Sequence, residues 1–176
     1  MKMQIRAAVI RSGERSFSIE DCELDTQPRE REVRLRLLAC GLCHTDLAAR
    51  DQHLRVPLPA VLGHEGVGVI EALGPGVEGF AIGQRVLAGF GACGQLFFTS
   101  HAPAYCRLLA RFFFQCCFFV FSLFISAGAG RYLGETLTGH FFGQSSFATH
   151  TLVATANLVA MPDDLPVELL APLACG

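Results

Sequence analysis

A chain of 176 residues is long enough for one domain with a buried core and too short for two of ordinary size. With 51% hydrophobic residues, 17% charged residues, a net charge of -2 and no sustained basic stripe, it is neither a disordered chain nor a nucleic-acid binder. The opening MKMQIRAAVIRSGERS lacks the apolar run of a secretory signal, so a cytoplasmic setting is expected, and its 8 cysteines point to metal binding, reactivity or core packing before disulfides.

In chain order, MQIRAAVI and FSIEDCEL read as strands. EVRLRLL alternates, with Val33, Leu35 and Leu37 on one face and Arg34 and Arg36 on the other, the pattern of a half-buried strand. CHTDLAAR carries no breaker and predicts a short helix, whereas the prolines of RVPLPAVLGHEG make that stretch extended or looped. GVGVIEALGPGV gives a strand and a Gly-Pro-Gly turn, QRVLAGF another strand, and QSSFATHTLV and NLVAM two more. LPVELLAPL, with Leu165, Leu169 and Leu170 near helical spacing, predicts a closing helical turn. Short strands punctuated by glycine and proline predict a mainly β fold, a barrel or a sandwich.

Phe112 to Gly130 breaks with its surroundings, as 19 residues without a charge between Arg111 and Arg131. Its length is near the ~20 residues of a membrane span, but Gln115, Ser122 and the weakly apolar SAGAG interrupt it. A buried loop is therefore the preferred reading over a membrane anchor at 112–130, and the phenylalanine-rich window is an aggregation hazard. The stretch runs into GAGRYLG, with Gly128, Gly130 and Gly134. Its last gap is one residue too long for a dinucleotide fingerprint and no helical period follows, so a phosphate loop is rejected.

The residues able to carry chemistry sit in CGLCHTD (Cys40, Cys43, His44, Thr45, Asp46), in LGHEG (His64, Glu65) and near the end (Cys175). Zinc takes four ligands from thiolate, imidazole and carboxylate, and three protein ligands with one open position make a catalytic site. Two cysteines and one histidine are one such set, although spacing alone proves nothing, because a lone Cys or His is more often core. Cys40, the other half of a C-x-x-C, is read as a small buried residue; His53 as a loop residue; His140 and His150 as structural. Asp51 and Glu71 read as a solvated face, and Gly66, Gly68, Gly74 and Gly76 as turn or close-packing positions.

Taken together and in this order, GLCHTD, LPAVLGHEGVGVIEALGPGV, GQRVLAGFGACG, HFFGQSSFATHTLV and LPVELLAPLACG resemble the zinc-dependent medium-chain alcohol dehydrogenases. HFFGQSSFA and LPVELLAPLACG look most like the aryl-alcohol (benzyl-alcohol) branch. The resemblance covers nearly the whole chain except about residues 95 to 138. It implies a GroES-like β-barrel with a few short helices over residues 1–176, the catalytic domain of that family. It also implies Cys43, His64 and Cys175 as ligands of one catalytic Zn2+, and Glu65 as an acid that can approach the metal. Thr45 matches the hydroxyl that takes the substrate's proton, Asp46 the carboxylate that orients the histidine, and His44 a side chain facing the cofactor pyrophosphate. The implied reaction oxidises a small alcohol, an aryl alcohol in this branch, to an aldehyde with NAD(P).

The chain also departs from the family. The lobe that holds a structural zinc in the family keeps Cys93 and Cys106, but Leu96 and Thr99 stand at two ligand positions and Cys106 is one residue short. Cys116 and Cys117, being adjacent, fit one tetrahedron poorly, so the structural zinc is expected to be lost. No strand–GxGxxG–helix unit of a Rossmann domain follows, so these residues alone are expected to show no substantial turnover. The competing readings are a non-catalytic zinc-binding scaffold or decayed gene product, and a fragment anchored to a membrane through 112–130.

Overall fold

The alternation of EVRLRLL becomes the middle of a sheet. In the computed structural model, which describes residues 1–89, 129–132 and 135–175, β3 (Glu32–Cys40) lies between β5 (Gly66–Leu73) and β9 (His150–Ala154), antiparallel to both. Val33 and Leu35 point inward and pack with Ile70, Val86, Ala88, Val153 and Leu158. With β6 (Arg85–Ala88) and β10 (Leu158–Ala160), the sheet runs β10-β6-β5-β3-β9. On the other face Arg36 reaches across to Glu71 at 3.1 Å, with His150 Nε2 at 3.4 Å from the same carboxylate.

The other sheet curls into a closed barrel. β1 (Lys2–Ile10) pairs antiparallel with β2 (Ser18–Asp25), then β7 (Ala129–Tyr132), β8 (Glu135–Gly139) and β4 (Ala60–Val61) complete the order and return to β1. β4 is two residues long, yet it closes the ring by pairing parallel with β8 and antiparallel with β1. Ile5, Ala7, Val9, Cys22, Val61 and Leu137 fill this barrel. One segment stitches the two sheets together: the Ala8 amide donates to the Phe147 carbonyl at 2.8 Å, and the Leu37 amide to the Thr149 carbonyl at 2.9 Å. A third core, under α1 (His44–Arg50), joins Ile10, Ala49, Val56, Ala60, Leu62 and Phe141. The chain closes with α2 (Val167–Leu170) and a 3-10 turn over Ala171–Ala174.

The mainly β architecture with short helices is the one expected from the sequence. The β7–β8 hairpin is not foreseen there, because GAGRYLGETLTG has too few alternating apolar residues to stand out among its glycines; Leu137 is its one deeply buried side chain among those described. The hairpin does explain why GAGRYLG is no phosphate loop, since its strand is followed by an antiparallel strand and not by a helix. Residues 112–128 of the uncharged stretch lie outside the described residues, as do Cys93, Leu96, Thr99, Cys106, Cys116 and Cys117. Among the described residues, no helix is long and apolar enough to cross a membrane.

Gly74 closes β5 against the turn that leads into β3. Its amide donates to the Glu32 carbonyl at 2.8 Å, and a Cβ there would overlap the Arg29 carbonyl oxygen. Both neighbours are backbone, so neither can swing aside. Gly74→Ala is expected to lower unfolding stability by roughly 2–3 kcal/mol in a urea titration. Ile82→Ala, at a side chain 67% exposed, should stay within about 0.5 kcal/mol of the parent.

Candidate metal centre

The site begins with a helix cap. Cys43 stands just before α1, and its amide donates to Asp46 Oδ2 at 3.0 Å while the Asp46 amide donates back to the Cys43 carbonyl at 3.1 Å. The other oxygen of Asp46 faces a different part of the chain. Oδ1 accepts from the Gly63 amide at 3.0 Å and from His64 Nδ1 at 3.1 Å, and both side chains of the Asp46–His64 pair are fully buried. A carboxylate only accepts, so Nδ1 carries the hydrogen and Nε2 is the nitrogen offered to a metal.

The turn before β5 brings the ring into place. Gly63 has φ +90°, and a Cβ there would stand 2.6 Å from Phe147 Cδ1, so both torsion and space demand glycine. The imidazole stacks on Phe142, with centroids 4.7 Å apart and planes at 26°, and meets the edge of Phe141 at 5.8 Å. Gln144, buried, fixes the backbone around it: Nε2 donates to the carbonyls of His64 (2.8 Å) and Ala88 (2.9 Å), and Oε1 accepts from the Gly66 amide (3.0 Å). Ser145 Oγ accepts from the His140 and Phe141 amides at 2.7 Å each and donates to the Val61 carbonyl at 2.7 Å.

Cys175 arrives from the far end of the chain. The 171–174 turn packs against β3, β5 and β6, with Ala171 buried, and delivers Cys175 Sγ to 3.8 Å from Cys43 Sγ. Cys43 Sγ, a ring nitrogen of His64, a carboxylate oxygen of Glu65 and Cys175 Sγ all lie within 4.8 Å of one another. This donor set fits zinc. Two thiolates on a tetrahedral ion, each ~2.3 Å from it, stand about 3.8 Å apart, which is the observed sulfur separation.

The group is electrostatically crowded. Burial pushes the Cys175 thiol up to about 11, and Cys43 and Glu65 beside it push the same way. Burial also works against the Cys43 thiolate, but hydrogen bonds with Thr45, Cys175 and His64 outweigh it and hold this thiol below its ordinary value. For His64 burial opposes the charged ring, and Asp46 followed by Cys43 overcomes it. A divalent cation would favour the deprotonated form of both thiols, as coordination requires.

The fold thus gathers four of the residues singled out in the sequence, Cys43, His64, Glu65 and Cys175, and sets Asp46 beneath them. Thr45 is half-buried at the edge, its Oγ1 3.5 Å from Cys43 Sγ. His44 is exposed at the first position of α1, outside the donor group. Cys40 is turned away: its Sγ lies 3.1 Å from Ser146 Oγ, and burial pushes its thiol up to about 11. His53 is exposed, and His140 and His150 stand apart from the donors. A cavity of about 240 Å³, bordered by Ile5, Cys22, Leu137 and His140, includes none of the four donors. Sequence reasoning does not single out Gln144, Ser145 or Phe142. The polar run Gln144, Ser145 and Ser146 inside HFFGQSSF, amid apolar neighbours, is the signal that could have marked them.

The alcohol dehydrogenase GroES-like domain family matches residues 29–163. A geraniol dehydrogenase of Castellaniella defragrans is 39% identical over 173 residues, covering 97% of this chain and 44% of the relative. Among solved structures, an alcohol dehydrogenase zinc-binding domain protein from Burkholderia ambifaria superposes with a TM-score of 0.82 at 44% identity, over 100% of this chain and 46% of its own. A benzyl alcohol dehydrogenase from Acinetobacter calcoaceticus gives 0.74 at 40% identity, over 99% and 45%. The chain therefore spans under half the length of these relatives.

Asp46→Asn replaces an accepting oxygen by a donating amide, so one of the three N–H groups it serves loses its partner. Metal affinity, measured by competition with a chelator, is expected to fall roughly 10–100-fold.

Proposed function

Since the chain belongs to the alcohol dehydrogenase GroES-like domain family, we propose that it is the zinc-binding catalytic domain of a medium-chain dehydrogenase that oxidises small alcohols to aldehydes with NAD(P). The observation that carries this reading is the convergence of Cys43, His64, Glu65 and Cys175. In it, Cys43, His64 and Cys175 hold one zinc ion. Bound there, zinc supplies a Lewis acid that lowers the pKa of an alcohol hydroxyl.

The chain's own residues do the rest. Asp46 holds the hydrogen on His64 Nδ1 and keeps Nε2 directed at the ion. Phe142 and Phe141 fix the imidazole ring plane and keep water from it. Thr45, at the edge of the donor group, is the hydroxyl that accepts the substrate's proton while passing its own on to solvent. Glu65 is the carboxylate beside these donors that could approach the ion. His44, exposed at the helix start, is the residue for the cofactor pyrophosphate. Among the described residues no glycine-rich turn opens a helix, so no hydride step is assigned to them. An aryl preference is supported by the likeness to a benzyl alcohol dehydrogenase. A reducing, cytoplasmic setting suits two thiols 3.8 Å apart that must stay unoxidised.

One second reading is a zinc-binding scaffold without hydride transfer, supported by a donor group that is complete within these residues. Cobalt substitution separates the two. On the dehydrogenase reading the chain takes up one ion, loses it in His64→Ala, and shows a visible spectrum perturbed by benzyl alcohol. One bound ion with no response to any alcohol would support the scaffold. Sustained turnover with NAD above a Cys43→Ala control is not expected of these residues alone. Its appearance would show that a dinucleotide seat exists within the chain.

A further inference from the structure

Gly41 follows the last residue of β3 and precedes Cys43 by two positions. Its φ is outside the left-handed region, so no torsion demands glycine there, in contrast to Gly63. Space does. A Cβ on Gly41 would overlap Glu65 Oε2 and stand 3.0 Å from Glu65 Cδ and 3.1 Å from its Cβ. Every neighbour that close belongs to one side chain, and that side chain is a buried member of the donor group.

The two backbones cannot part to make room. The Gly41 amide donates to the Glu65 carbonyl at 3.0 Å, and the adjacent pair Cys40–Gly66 is in ladder register between β3 and β5. Gly66 is itself pressed against the next layer, since a Cβ on it would come within 2.8 Å of Ser146 Cβ and 2.9 Å of Gln144 Oε1. The strands are therefore locked at this separation, and the Glu65 carboxylate rests in the volume that a side chain at position 41 would take.

We propose that Gly41 is a positioning residue of the metal centre: the space left by its absent side chain is the berth that holds the Glu65 carboxylate beside Cys43, His64 and Cys175. The metal chemistry in this statement rests on the zinc reading above; the berth rests on geometry alone. A methyl group at position 41 overlaps the carboxylate end of a flexible side chain, and its 3.1 Å approach to Glu65 Cβ asks for a shift of only a few tenths of an ångström, so the fold tolerates it. The carboxylate must leave its place, and the metal feels the change.

The test uses the full chain loaded with cobalt(II), whose visible bands report coordination geometry, together with affinity by chelator competition. Gly41→Ala is expected to change the spectrum and shift the metal dissociation constant about tenfold or more, with the melting curve of the metal-free protein nearly unchanged. In a Glu65→Ala background the same substitution should be silent. Equal effects of Gly41→Ala with and without the Glu65 carboxylate would overturn the proposal. So would one bound ion whose spectrum and affinity ignore Gly41→Ala, and that outcome leaves the zinc reading standing. A parent chain that binds neither cobalt nor zinc removes both. If Gly41→Ala does not fold, a folded Gly41→Ala/Glu65→Ala chain upholds the berth, and an unfolded one overturns it.

Discussion

The Asp46 carboxylate holds the site together. It is fully buried, and a buried charge costs several kcal/mol unless its lone pairs are met. Three N–H groups meet them: the Cys43 amide on Oδ2, and the Gly63 amide and His64 Nδ1 on Oδ1. One side chain thereby caps a helix, pins the turn before β5 and sets the tautomer of His64. The interaction explains why CHTD and GHE, 18 residues apart between Asp46 and His64, act as one unit.

A second support comes from the 140–147 segment, which is held in costly conformations. His140, Phe142 and Ser145 have positive φ without being glycine, at roughly 1–3 kcal/mol each. The hydrogen bonds of Ser145 and Gln144 hold them there, and the outcome is an aromatic face laid along His64. Strain at this turn is offset by contacts that serve the metal centre and both sheets at once. The stitching of Phe147 and Thr149 to β1 and β3 makes the turn a shared wall rather than a surface loop.

Much of the fold was legible in the sequence because its strands alternate: Val33 and Leu35 against Arg34 and Arg36 is a pattern any half-buried strand must show. The β7–β8 hairpin was not, since its glycines mask a short strand and its pairing is set by the barrel it closes. The donor residues were legible only through phrases. Cys43 and Cys175 are 132 residues apart, and no local spacing joins them. The residues that build the environment escaped altogether. Gln144 reads as an ordinary polar residue until the carbonyls of His64 and Ala88 are seen to converge on it. Gly41 reads as a loop glycine until Glu65 is found lying over it. Such roles belong to contacts between distant segments, which periodicity does not record.

These supports converge on Cys43, His64, Glu65 and Cys175, a donor group that could hold one zinc ion. X-ray absorption at the zinc edge of the loaded chain tests this most directly. Two sulfur ligands at ~2.3 Å are expected, with light-atom ligands at ~2.0–2.1 Å that include an imidazole. A shell of four sulfurs, or one with no sulfur or no imidazole, would contradict it.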